Sequence, residues 1–180
     1  MADQKKSTTK KKQSTTSSAR TDLQNRESGF RGSQKLHDSL QRVLVDIVDL
    51  GIQGKQAHWS VVGPNFRDLH LQLDEIVEAA REFGDIVAER MRSMHLLVDA
   101  RAETVASDSS LPKLPAGELL TTDVVDAMTE RLDGVAATAR AVHDDVDEED
   151  PTSADILHDV LDRLEQLSWM VSAENRRPQS

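Results

Sequence analysis

The chain of 180 residues contains no cysteine. Disulfides, thiolate metal sites and cysteine nucleophiles are therefore excluded together, and any metal site must be built from His, Asp and Glu. No stretch approaches the roughly 18 consecutive apolar residues of a membrane-spanning helix. The first residues are polar and lysine-rich where a secretory leader needs an apolar centre. These two absences predict a cytoplasmic protein with no membrane partner. Segments with the two-residue period of a strand are missing as well, which predicts an all-α fold. The length suits one domain with a single core.

What charge there is lies unevenly. Residues 1–32 carry 8 Lys/Arg against 3 Asp/Glu, net +5, and the remainder carries 14 against 29, net −15. A basic Ser/Thr/Gln-rich tail thus precedes an acidic body. With only Leu23 and Phe30 as sizeable apolar groups, residues 1–32 cannot bury enough surface to offset the entropy of ordering, and are expected to be disordered. The expected division is a tail at 1–32, a helical domain at 33–176 and a short C-terminal tail at 177–180.

From residue 33 onward, Leu36, Leu40, Val43, Leu44, Ile47 and Leu50 recur at the spacing of one helix face. Gly51 and Gly54 weaken this first helix, and Gly63-Pro64 ends it. Asn65 is the expected N-cap of a second helix over about 66–94. Residues 95–121, with Pro112, Pro115 and Gly117, form a long connection containing one short helix near 102–106. A third helix is expected over about 122–148. Asp150-Pro151 then reads as an N-cap with proline at the first helical position of a fourth, which runs to about Asn175. Four amphipathic helices with short outer loops and one long middle connection fit a four-helix bundle with a crossover between helices two and three.

The chemistry must come from polar residues on these helices. In helix two, His70 and Asp74 lie four residues apart, as do Asp85 and Glu89, so each pair shares a face. Imidazole with carboxylate suits iron, manganese or zinc. His58 falls on helix one's apolar stripe, 18 residues beyond Leu40, where a polar group without a partner is costly. Asp74 and Asp85 are 11 residues apart, about 16 Å along a helix, too far to bind one ion. One chain cannot close the site. Two antiparallel copies of helix two, related by a two-fold axis near residues 79 and 80, would set His70 and Asp74 of one subunit against Asp85 and Glu89 of the other. Glu78 and Arg81 are centred on the same axis and could pair across it, or within their own helix.

His58-Trp59, Gly63-Pro64-Asn65-Phe66, Leu69-His70, Asp74, Asp85 and Ala88-Glu89-Arg90 together resemble the ferroxidase motif of the DNA-binding-protein-from-starved-cells (Dps) family, within the ferritin-like superfamily. Asp150 through Leu157 and Trp169 are similar to that family's last loop and helix, and the likeness covers about residues 33–176. It implies a ferritin-like bundle assembled into a hollow dodecamer. It also implies that His58, His70, Asp74, Asp85 and Glu89 are the ligands at which Fe2+ is oxidised, with hydrogen peroxide as oxidant, before storage as ferric oxide. Trp59, first of all a packing residue like Trp169, would by the same resemblance stand near the metal and intercept oxidising equivalents. The acidic run Asp144, Asp145, Glu148, Glu149 and Asp150 would line pores that draw in Fe2+, or form a solvated loop. Lys5, Lys6, Lys10, Lys11 and Lys12 could neutralise DNA phosphates without reading sequence, giving nucleoid association. His37, His95, His143 and His158 have no comparable company and are expected on the surface. The competing readings are a nucleoid DNA-binding protein with a minor iron role, and another carboxylate-bridged metal enzyme. Against the latter, the Glu-x-x-His pairs of the usual di-iron bundle are absent.

Overall fold

The computed structural model describes residues 29–178 of the chain, and the folded unit starts at Arg31. The Lys-rich segment holding Lys5, Lys6, Lys10, Lys11 and Lys12 lies outside the described residues. Four long helices carry the fold: α1 (Gln34–Ser60), α2 (Phe66–Ser93), α4 (Thr121–Glu149) and α5 (Pro151–Ser172), with a short α3 (Ala102–Asp108) in the crossover. α1 packs on α2 and α4 on α5, while α1 with α4 and α2 with α5 close the bundle. Their apolar stripes meet in one core that includes Leu40, Leu44, Leu73, Ile76, Met128 and Leu164. Each such side chain contributes about 1.5–3 kcal/mol by leaving water.

The helix ends follow local chemistry. The Ser33 hydroxyl accepts from the Leu36 N–H and caps α1. Gly54, which weakens a helix in isolation, has a packing use: a Cβ there would sit 3.2 Å from Val77 Cγ2, so its absence lets α1 and α2 approach closely. Gly63 turns the chain at φ +119°, a conformation that glycine adopts without steric cost. α1 stops at Ser60, before the Gly-Pro pair, because Val61 and Val62 are extended. They pair in parallel with Leu119 and Leu120 as a two-stranded sheet of β1 (Val61–Val62) and β2 (Leu119–Leu120). The all-α expectation therefore misses this bridge, since two residues are too few to show a period.

Asn65 does not cap α2. It adopts the left-handed conformation with no side-chain cap bond, which asparagine tolerates better than most residues. Its Nδ2 donates instead to Glu174 Oε2 at 3.3 Å. Asp150 does cap α5, accepting from the Ser153 N–H, with Pro151 at the first helical position. α5 ends at Ser172, short of the expected Asn175, whose side chain donates to the Thr122 carbonyl and to Asp126.

The long connection is pinned from inside. Asp46, 2 % exposed, accepts from the Ser110 N–H and hydroxyl and from the Thr138 hydroxyl, each at 2.7 Å. The Gln53 carbonyl oxygen accepts from the Leu114 N–H and from Arg131 Nε. Arg131 is itself buried, and burial lowers its affinity for the proton. Among the described residues no buried side-chain polar atom lacks a partner, as a stable interior requires. No described helix is long and apolar enough to cross a membrane.

Candidate metal centre

The short turn between α1 and α2 folds the chain back so that the last turn of α1 lies beside the first turns of α2. This brings His58 and His70 together, with ring centroids 3.6 Å apart and planes inclined by 24°. Each ring is held by the other's backbone: His58 Nδ1 donates to the His70 carbonyl at 3.0 Å, and His70 Nδ1 to the His58 carbonyl at 3.0 Å. A carbonyl only accepts, so both protons sit on Nδ1 and both Nε2 atoms keep their lone pairs. Such a bond behind an imidazole is the usual support of a metal-ligating histidine. It also resolves the cost of placing His58 on the apolar stripe, where the residue is buried.

Asp74 joins the two rings, its Oδ1 3.3 Å from His58 Nδ1. The same oxygen accepts from Lys55 Nζ at 2.6 Å. The Lys55 hydrogen bond, with the positive charge of the same lysine, holds the Asp74 carboxyl below the usual carboxylate range. Lys55 went unnoticed in the sequence. The available signal was its position three residues before His58, which puts both on one face of α1.

Asp85 and Glu89 stand further along α2, both exposed and without a hydrogen bond or ion pair to the described residues. Among the described residues no three His, Asp or Glu side chains converge as a set able to hold one metal ion. The chain therefore brings His58, His70 and Asp74 together and leaves Asp85 and Glu89 apart from them. Beside Asp85 runs a groove of about 550 Å³ between α1 and α2, lined by Ile47, Ile52, Gly84, Ala88 and Trp59 among others. Trp59 is 68 % exposed, with Lys55 Nζ 5.9 Å from its ring centre. Trp169 is 62 % exposed. Neither packs in the core of the chain, because each lies on a helix face turned away from it.

The acidic run divides by partner. Asp150 is 7 % exposed and takes both terminal contacts of Arg90, Nη2 reaching Oδ1 and Oδ2 at 2.7 Å. Burial pushes its carboxyl up, but Arg90 and Ser153 more than reverse this and the net shift is downward. Asp150 thus belongs to the α4–α5 junction and does not line an open surface, correcting its assignment to a pore. Glu149 accepts from the Ser33 N–H and hydroxyl, and Asp145 pairs with Lys35 at 2.9 Å. Asp144 and Glu148 stay exposed. His143 and His158 prove to have company after all: their Nε2 atoms are 2.7 Å apart.

Comparison with known proteins gives the family of the chain. The ferritin-like domain family matches residues 37–177. DNA protection during starvation protein 2 of Deinococcus radiodurans is 34% identical over 146 residues, covering 81% of this chain and 61% of that protein. The chain thus spans less than two thirds of that relative's length. The DNA protection during starvation protein of Agrobacterium fabrum is 33% identical over 135 residues, covering 74% of this chain and 83% of that one. Among solved structures, a Dps protein of Deinococcus radiodurans superposes with a TM-score of 0.75 at 34% identity, covering 78% of this chain and 85% of that one. Dps from Microbacterium arborescens in a high iron form gives 0.72 at 29% identity, covering 81% and 98%.

Proposed function

This chain belongs to the ferritin-like family, within its DNA-protection-during-starvation branch, and from that premise we propose that it oxidises Fe2+ and stores the ferric product in a cage of identical subunits. The observation that carries the reading is the reciprocal bonding of His58 and His70 through Nδ1, which leaves both Nε2 atoms unbonded within the chain, with the Asp74 carboxylate next to the His58 ring. Here iron is the substrate. His58, His70 and Asp74 of one subunit would bind it together with Asp85 and Glu89 of a second subunit, across a two-fold axis near residues 79 and 80. Support comes from the exposure of Asp85 and Glu89 and from the apolar groove next to them, which a second α2 would cover. Among the described residues Glu78 and Arg81 form no ion pair with each other, which leaves both for the reciprocal contact across the axis. The dodecamer is the assembly this reading takes, with the bundle of residues 33–176 as its wall.

The chemistry follows from the donors. Neutral imidazoles favour a borderline divalent ion, and carboxylates stabilise the trivalent product. Each Fe2+ gives up one electron. Hydrogen peroxide, the oxidant in this reading, accepts two electrons and two protons as its O–O bond breaks, leaving two waters. Lys55 holds Asp74 until a cation displaces it. Trp59, exposed beside Lys55, would intercept stray oxidising equivalents. The exposed acids Asp144, Asp145 and Glu148 would raise the local Fe2+ concentration at the access route. The work is assigned to the cytoplasm.

The test is anaerobic addition of Fe2+ followed by peroxide, monitored by ferric absorbance. Rapid ferric formation with retention of iron in the assembled particle is expected; slow formation equal to that in buffer would contradict the assignment. DNA protection by direct binding rests on Lys5, Lys6, Lys10, Lys11 and Lys12, many copies of which would act together in one cage. A salt-sensitive gel shift that disappears on removing residues 1–32 is the expected outcome, and equal retention without them would take the tail out of the mechanism.

A further inference from the structure

His143 on α4 and His158 on α5 face each other across the turn at Asp150, with ring centroids 4.6 Å apart and Nε2 atoms separated by 2.7 Å. The other nitrogen of each ring faces a carboxylate of its own helix. His143 Nδ1 is 3.1 Å from Asp144 Oδ1, and His158 Nδ1 is 3.7 Å from Asp155 Oδ1. A carboxylate behind an imidazole keeps the proton on the nitrogen that faces it, so the opposite nitrogen carries the lone pair. For His143 this leaves the lone pair on Nε2, whereas Asp155, beyond hydrogen-bond reach, leaves His158 Nε2 able to carry the hydrogen. The two Nε2 atoms therefore share one N–H···N hydrogen bond at 2.7 Å and point at one another. A divalent cation can take the place of that hydrogen, with the His158 proton carried on Nδ1 on the Asp155 side.

The surroundings suit a cation. Asp147 follows His143 by four residues, on the same face of α4, and Asp159 and Asp162 lie on the same helix as His158; all three are exposed. Arg140, one turn before His143, is engaged by Glu165 of α5. We propose that His143 and His158 form a two-histidine site for a borderline divalent transition cation of the Zn2+ class, with Asp144 and Asp155 orienting the rings and Asp147 with water completing the shell. Two nitrogens at the Zn–N distance of a tetrahedral ion stand about 3.3 Å apart, so the rings must open by about 0.6 Å. His158, 59 % exposed, has the room to rotate. The oxidation reading uses neither ring, and the two assignments stand or fall separately.

Equilibrium dialysis of the assembled full-length protein against Zn2+ at neutral pH tests the site. Three forms are compared: the unaltered chain, His143→Ala with His158→Ala, and His58→Ala with His70→Ala. The first replacement pair should lower bound Zn2+ by one ion per chain, whatever the second pair removes. In the unaltered protein, Zn2+ should shift both His143 and His158 Nε2 resonances in the 15N spectrum. His158→Gln, at an exposed position that the fold does not need, should weaken this ion's binding by at least about tenfold, as loss of a ligand does. Unchanged Zn2+ stoichiometry in the His143/His158 variant overturns the proposal and leaves the oxidation reading intact. A single proton shared by the two rings that Zn2+ does not displace overturns it equally.

Discussion

The carboxylates of α2 and those at the α4–α5 junction look alike in the sequence and differ in company. Asp150 is enclosed by Arg90 and Ser153 and caps a helix, so its charge is spent inside the fold. Asp85 and Glu89 have no partner among the described residues, and Asp74 has only a displaceable lysine beside the two imidazoles. A carboxylate satisfied by its own chain is a structural part. One left open beside histidines, or facing an apolar groove, is available to an ion or to another subunit.

This contrast predicts opposite phenotypes. Replacing Asp85 and Glu89 together by Ala should lower the initial rate of Fe2+ oxidation by more than about 100-fold, beyond the range for losing a mere supporting group, with thermal stability unchanged. Initial ferric absorbance and calorimetry read both quantities, and a rate within a factor of two of the unaltered protein would erase the distinction. Asp150→Ala should do the reverse. It should cost roughly 3 kcal/mol, from a lost cap of about 1 kcal/mol and an Arg90 charge left without its partner, with little change in oxidation per folded subunit. Denaturant unfolding measures the loss. Because the Asp150 carboxyl is held below its ordinary value in the folded chain, its stabilisation is present above the ordinary carboxylate pKa of about 4 and disappears as pH falls through the lower folded value. The stability difference between the unaltered protein and Asp150→Ala should therefore shrink on acidification. The smallest effect belongs to Lys55→Gln. Removing a partly exposed partner of Asp74 should tighten Fe2+ binding by no more than about fivefold, measured by anaerobic titration; weaker binding would make Lys55 a positioning residue.

How much of this was legible in the sequence depends on the range of each interaction. The helices showed because their apolar residues repeat every three or four positions, and the Asp150-Pro151 start showed because its partners are adjacent. The histidine and carboxylate pairs of α2 showed because a helix fixes their spacing. Asn65 misled, since a capping residue type does not reveal a left-handed backbone. Asp46 reaching Ser110 and Thr138, and Gln53 reaching Leu114 and Arg131, are contacts across the fold that no local pattern encodes. The His143–His158 pair was in principle readable, because the two positions are symmetric about the turn at Asp150. It needed the hairpin to be drawn before the histidines were weighed.

The central claim is that the oxidation site is completed by a second subunit, and co-assembly tests it most directly. A His58→Ala/His70→Ala chain and an Asp85→Ala/Glu89→Ala chain, each inactive alone, are unfolded together and refolded into mixed particles whose composition is verified by mass. A dimer with one chain of each kind contains one intact site and one lacking all its altered ligands. Random pairing should therefore restore about a quarter of the unaltered oxidation rate, following the two-fold sharing of sites. No recovery in verified mixed particles would contradict the account and assign all five ligands to a single chain.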